Sequence, residues 1–450
     1  MPDLDRSFDR KLAAAIADGG RLRALVLELW QRTRMDWGFV TDRLAIAFRK
    51  ESWVGAHDRR FVSETLYGLV RNLRRVDLAL ERARKVKKPP RDLERLIALL
   101  VLDQLLPIER AAKLEPRLDW AAVAQVDDAI ARERKVTTRL ALACSLPDWL
   151  AARLVAQWGD RAEPLARALN ERAPMTIRAN LGLGDRSALA DELTRAGLAT
   201  TPGKWCDTAL VIDSRTNVFA LDAFTRGAFE VQDEGSQLLA DLALAGLSAR
   251  PALVVDYCAG AGGKTLAIAA RMANHGRIVS TDIDGKKLDE LRRRARRAGL
   301  SIAQAIAIDG GRWPRELDGL RAKADVVFVD APCSGIGALR RNPEARWRLR
   351  EADLDTFAAR QREIVKTAAQ LCRPGGRIVY ATCTLLAVEN QDVVAATLAD
   401  DPDLASVPLS AVLGEARARE LGDGDAFTVA PDRHGTDGFF AHVLTRKRAA

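Results

Sequence analysis

Two cysteines occupy unusual settings: Cys333 in Asp330-Ala-Pro-Cys-Ser-Gly335 and Cys383 in Tyr380-Ala-Thr-Cys-Thr384, each just after a predicted strand. A thiol exposed at a strand end suits covalent catalysis, because its thiolate is the nucleophile and a nearby cation or backbone N–H lowers the ordinary pKa of ~8.5. One reaction that needs such a group is methylation of a pyrimidine ring. Carbon 5 of cytosine is a poor nucleophile until a thiolate adds to carbon 6 and makes the ring enamine-like, with an acid holding the ring nitrogen as charge develops. Asp330 shares a turn with Cys333, while Cys383 follows another strand of the same predicted sheet. Cys144, Cys206 and Cys372 read instead as small buried apolar residues.

A glycine-rich turn, Asp256-Tyr-Cys-Ala-Gly-Ala-Gly-Gly-Lys-Thr265, is the second chemical feature. Glycine lets backbone approach a bound nucleoside because no side chain stands in the way. Two phosphate-binding loops fail here: a Walker A loop needs glycine at Cys258, and a dinucleotide fingerprint starting at Gly260 needs glycine at Thr265. S-adenosylmethionine fits better, since it has no pyrophosphate and its ribose asks for a carboxylate after the second strand. Asp282 stands there, and Asp309, after the third strand, is placed to accept from the adenine amino group. Taken singly, each aspartate reads as a helix cap or turn residue; in register with the turn, they read together as cofactor ligands. The candidate cofactor set is Cys258, Ala259, Gly260, Ala261, Gly262, Gly263, Lys264, Asp282, Asp309 and Asp330.

Regular elements must hold these groups. Beyond about Ser236, apolar strands at Ala252 to Tyr257, Arg277 to Asp282, Asp325 to Asp330 and Arg377 to Tyr380 alternate with helices at Lys264 to Ala273, Asp284 to Gly299 and Thr356 to Leu371. That alternation predicts a parallel sheet covered on both faces, with ligands at the carboxyl ends of its strands. Between about Cys144 and Gln237 helix and strand mix: Pro147-Asp-Trp149 opens a helix, Met175 to Asn180 alternates as a strand, and Ser187 to Ala196 is helical before Gly197. Residues 1 to about 140 read as helical throughout. Leu22, Leu25, Val26, Leu29 and Trp30 form one helical stripe, and Val62, Leu66, Leu69, Leu73, Val76 and Leu80 form another on a longer helix stopped by Pro89-Pro90. Its Arg71, Arg74, Arg75 and Arg82, followed by Arg84-Lys-Val-Lys-Lys88, read equally as a solvated face and as a phosphate-binding surface.

A chain of 450 residues fits two or three domains. Its 70 Lys+Arg against 61 Asp+Glu favour a polyanionic partner. The N-terminus lacks a basic segment followed by an apolar one, and the longest apolar run, Leu96 to Leu106, is broken by Asp103 and Gln104. A cytosolic location without a membrane partner is expected. The cysteines form no Cys-x-x-Cys pair, and His57, His275, His434 and His442 do not cluster with them. Neither a disulfide scaffold nor a bound metal is expected.

Several motifs agree with one family. The segment 330–335, the following Gly337-Ala-Leu-Arg-Arg-Asn-Pro343, and Tyr-Ala-Thr-Cys-Thr (380–384) with Glu389-Asn390 resemble the signature set of the Sun family of RNA 5-methylcytosine methyltransferases. Val231-Gln-Asp-Glu-Gly-Ser-Gln237 and Asp437-Gly-Phe-Phe440 also match, and the resemblance runs from about Cys144 onward. The helical N-terminus is similar to the antitermination-factor-type RNA-binding domain of the bacterial ribosomal RNA small-subunit methyltransferase B branch. The resemblance implies an α/β fold: a Rossmann-like class I S-adenosylmethionine-dependent methyltransferase domain at 237–450, preceded by an all-α RNA-binding domain at 1–140 and a small α+β linker or RNA-binding module at 141–236.

It further implies that Cys383 attacks carbon 6, Cys333 assists breakdown of the covalent intermediate, Asp330 hydrogen-bonds the cytosine, and the turn with Asp282 and Asp309 binds S-adenosylmethionine. Analogy with DNA cytosine methyltransferases, whose nucleophile sits in a Pro-Cys turn, selects Cys333 instead. Thr384 replaces the family's usual serine, and Gly260-Ala261 replaces a common Ala-Pro pair. The expected partner is RNA, 16S ribosomal RNA first and transfer RNA as the alternative, presented single-stranded or looped to a monomeric enzyme. A catalytically silent RNA-binding scaffold is the competing class, which the presence of both cysteines, Asp330 and the full turn disfavours.

Overall fold

The computed structural model describes residues 2–86, 88–213, 216–310 and 313–448. The chain divides into two compact units, Met1–Glu171 with Leu339–Glu351, and Arg172–Ala338 with Ala352–Ala450. The first unit is helical among its described residues. Val26, Leu29 and Trp30 from the first predicted stripe, and Val62, Leu66, Leu69, Val76 and Leu80 from the second, share its core.

The second stripe spans two helices, Ala56–Arg71 and Leu73–Arg82, where one was expected. The break is at Asn72, whose side-chain amide donates to Gly68 O at 3.0 Å, competing locally with helix continuation. The second helix also ends at Arg82, ahead of the prolines. Its arginines correct the surface reading. Arg71 donates to Arg340 O at 2.9 Å, Arg74 to Leu146 O at 2.7 Å and Asp148 at 2.5 Å, and Arg75 grips Asp127 through two bonds at 2.6 and 2.7 Å. Arg84 is likewise bonded to Glu94 and to Lys88 O. These groups tie the unit together; only Arg82 of the four helix arginines is exposed, and Lys87 lies outside the described residues. The unit reaches past residue 140 because the fully buried Arg346 donates to Cys144 O and to Asn170 Oδ1, both at 2.8 Å.

The second unit holds two sheets. In the smaller, β1 (Met175–Ala179), β2 (Thr200–Pro202), β3 (Ala209–Ile212) and β4 (Phe229–Val231) lie antiparallel in the order β2-β3-β1-β4. Ile177, Leu210 and Phe229 pack beneath Leu189 and Leu193 of the helix Arg186–Arg195. The larger sheet contains β5 (Leu253–Asp256), β6 (Arg277–Asp282), β7 (Ala303–Ala307), β8 (Ala324–Asp330), β9 (Cys372–Thr382), β10 (Leu404–Ser406), β11 (Gly422–Asp423), β12 (Ala426–Val429) and β13 (Phe439–Arg446). Its order is β11-β12-β13-β9-β8-β5-β6-β7, with β10 on β13.

Strands β5 to β9 are parallel, as their apolar runs predict, and helices such as Gly263–Arg271 and Asp353–Ala369 supply the covering layers. The sheet is nevertheless mixed: β13 runs antiparallel to β9 and to β12, extending it on one side. Register then sets the site. Asp330 pairs with Ala381 across β8 and β9, so the loops bearing Cys333 and Cys383 leave the sheet side by side. Among the described residues, no helix is long and apolar enough to cross a membrane.

Candidate active site

The two thiols meet with their sulfurs 3.3 Å apart. Both are half-buried, unlike Cys144, Cys206 and Cys372, which are buried. The hydrogen bond to Cys383 pushes the Cys333 thiol far above its ordinary pKa, with burial and the Cys383 charge adding to it. That shift favours the protonated form of Cys333.

Backbone contact fixes the Cys383 loop. Gly337 N donates to Cys383 O at 2.9 Å, and Gly438 N donates to Gly337 O at 2.8 Å. A Cβ at Gly337 would stand 2.1 Å from Gly438 O and 2.8 Å from Cys383 O, so only glycine fits. Gly337→Ala is expected to cost about 2 kcal/mol of stability or more, read as a lowered denaturation midpoint. An unchanged midpoint would show the approach to be looser than described.

The Cys333 loop is braced by a residue whose role the sequence did not reveal. Glu389 is fully buried, and its carboxylate accepts from Ser334 N at 2.8 Å, Gln361 Nε2 at 3.1 Å and the Ser334 hydroxyl. Tyr380 donates its hydroxyl to Glu389 O at 2.6 Å. Asn390 joins Thr382 to the Thr384 carbonyl, at 2.6 and 3.1 Å. Thr384 donates its hydroxyl to Ser334 Oγ at 2.9 Å, since the one Ser334 proton goes to Glu389, and a serine there could do the same.

Lys264 Nζ donates to Asp330 Oδ2 at 2.6 Å. Burial pulls the ammonium's pKa down, but the charge and hydrogen bond of Asp330, with Cys383 adding its own attraction, outweigh it and raise it overall. Lys264 is thus a fixed cation committed to Asp330, and is not free to hold a phosphate.

Beside this pair opens a cleft of about 590 Å³, lined among others by Cys258, Gly260, Asp282, Ile283, Ile308 and Asp330. Gly260 has φ +54° and open space where a Cβ would stand. Its N–H donates to Asp282 Oδ2 at 2.9 Å, while Asp282 Oδ1 accepts from Asp284 N at 2.8 Å, and each oxygen keeps a further lone pair with which to accept. A bare backbone, an oriented carboxylate and two isoleucines suit a nucleoside. Ala259, Ala261, Gly262 and Gly263 shape the turn without lining the cleft, and Asp309 is exposed one residue beyond Ile308. Lys287, Arg360 and Glu363 line it although nothing in the sequence singled them out.

Below the turn, Asp256 is almost fully buried; Thr265 Oγ1 donates to its Oδ2 at 2.5 Å, and its Oδ1 has no hydrogen-bond partner among the described residues. Burial pushes its pKa to about 7, with the Thr265 bond opposing and the Asp330 charge assisting. A carboxyl whose pKa is raised by folding gives its full stabilisation below the unfolded value and loses it as pH rises through about 7. Urea midpoints should therefore fall between pH 5 and pH 8 more steeply in the native protein than in Asp256→Asn; equal slopes would remove Asp256 from the titration.

Residues 248–445 match the family described as 16S rRNA methyltransferase RsmB/F, and residues 146–219 match the ferredoxin-like domain of RsmF/B-like methyltransferases. The chain is 30% identical over 420 residues to the probable ribosomal RNA small subunit methyltransferase B of Synechocystis, covering 86% of this chain and 91% of that protein. It is 32% identical over 305 residues to the ribosomal RNA small subunit methyltransferase B of Vibrio cholerae, covering 67% and 65%. A methyltransferase homolog protein from Pyrococcus horikoshii shares the fold, with a TM-score of 0.57 at 24% identity over 69% of this chain and 98% of that one.

Proposed function

Because the chain belongs to the RsmB/F methyltransferase family, we propose that it methylates carbon 5 of a cytosine in small-subunit ribosomal RNA through a covalent bond from Cys383 to carbon 6. The methyl donor is S-adenosylmethionine, which supplies an electrophilic methyl on a sulfonium. Asp282, the backbone at Gly260, and Ile283 with Ile308 would hold its nucleoside in the cleft. The helical unit and the small sheet are assigned to gripping RNA.

The observation that carries the reading is the 3.3 Å sulfur pair beside the Lys264–Asp330 couple. Cys383 adds to carbon 6 as a thiolate, attracted by the Lys264 ammonium. Asp330, braced by Lys264, accepts a hydrogen bond from the cytosine amino group and so orients the ring for attack. After methylation the carbon 5 proton passes to water, its bonding pair re-forms the carbon 5–carbon 6 double bond and expels Cys383 as a thiolate, and the protonated Cys333 thiol beside it hydrogen-bonds the leaving sulfur. The base must leave its stack to reach this site.

Bisulfite sequencing of RNA from cells with and without the gene tests the proposal. A modified cytosine in 16S ribosomal RNA, lost with the gene, is the expected result. Loss confined to transfer RNA would move the substrate, and no change in either would favour a silent scaffold.

A further inference from the structure

The glycine-rich turn after β5 is held from outside the large sheet. Arg178 of β1 donates to Gly263 O at 3.0 Å, and Arg294 of the helix Gly285–Arg297 donates to Ala261 O at 2.8 Å. Both guanidiniums are fixed by β4 and the residue that follows it. Glu230 accepts from Arg294 at 3.0 and 3.2 Å and also from Arg297, while Gln232 accepts from Arg178 and donates to Ser236 Oγ at 3.0 Å. Arg178, Glu230 and Gln232 are all buried.

The seam between the small sheet and the C-terminal end of the helix Gly285–Arg297 is tight. Asn180 Nδ2 donates to Gly227 O and Ala298 O, both at 2.9 Å, and a Cβ on Gly227 would stand 2.1 Å from Arg297 O. A peptide group is planar, so fixing the Ala261 and Gly263 carbonyls also fixes the N–H groups of Gly262 and Lys264. Release of these carbonyls is costly, because each would lose a charge-assisted partner.

We infer that the small sheet is a working part of the methyl-donor site: Arg178 and Arg294, anchored on Gln232 and Glu230, are positioning residues that hold the cofactor turn in its binding conformation. Cofactor and any ligand of the small sheet that shifts β1 or β4 then change each other's affinity reciprocally. The inference rests on reading the turn as the S-adenosylmethionine site.

Calorimetric titration of the full chain with S-adenosylhomocysteine separates the two. Failure of the wild type to bind would overturn the cofactor reading; binding by the wild type puts the clamp itself on trial. Arg294→Met, Arg178→Met and Glu230→Gln are each expected to raise Kd about tenfold and the KM for S-adenosylmethionine in parallel, with kcat at saturation within about twofold. Arg178→Lys should recover part of the loss. An unchanged Kd in folded variants overturns the clamp. Hydrogen exchange on the wild type needs no variant: S-adenosylhomocysteine should slow exchange at Arg178 and Glu230–Gln232, and absence of protection there also overturns it.

Discussion

Cys383→Ala should lower turnover on RNA by at least about 10⁴-fold and form no adduct with RNA carrying 5-fluorocytosine, since the nucleophile itself is gone. Cys333→Ala should still form the adduct and accumulate it. The asymmetry follows from the pair's electrostatics. Two sulfurs at 3.3 Å cannot both ionise cheaply, and the hydrogen bond, burial and Cys383 charge all keep the proton on Cys333. Cys383 also lies within electrostatic reach of the Lys264 ammonium. Removing Cys333 takes away a proton-bearing neighbour of the leaving sulfur but no attacking atom. Denaturing gel electrophoresis distinguishes the species, and adduct formation by Cys383→Ala but not by Cys333→Ala would reverse the roles.

Asp330→Asn should reduce kcat by about 10²–10³-fold, the scale of losing one preorganised charged contact to the reacting ring. It should also reshape the pH profile. Asp330 is the chief influence that offsets burial at Lys264, so without its charge the ammonium loses its proton at lower pH. The variant's activity should therefore fail on the alkaline side before the wild type's does. Measuring kcat/KM across the alkaline range checks this, and parallel profiles would separate Lys264 from the chemistry.

The parallel core was legible because buried strands such as Val326-Val-Phe-Val329 form continuous apolar runs bounded by Asp330 and helix signals. The antiparallel extension was not. Phe439–Leu444 of β13 is buried on both faces, so no alternation marks it as a strand. The break at Asn72 was hidden for a similar reason: the apolar stripe on both sides faces one core and carries no trace of the kink.

Charge was harder still to interpret. Arg74 and Arg75 lie at helical spacing, but their partners, Leu146 O, Asp148 and Asp127, are more than 50 residues away in sequence. Of the site, the sequence marked the two cysteine loops, Asp330, Lys264 and the turn, because glycine and strand-end residues carry local signatures. Glu389 entered only through the family resemblance, without a role: a glutamate is ordinarily exposed, and only tertiary packing shows it buried against Ser334 and Gln361. Asp309 was chosen by position along a strand, which does not fix the direction of its side chain relative to the cleft.

The most direct test is tryptic mapping of the wild-type protein trapped on 5-fluorocytosine RNA. The cross-linked nucleotide should be found on the peptide Ile378–Arg417 at Cys383. Its recovery on Ala324–Arg340 at Cys333 would contradict the account.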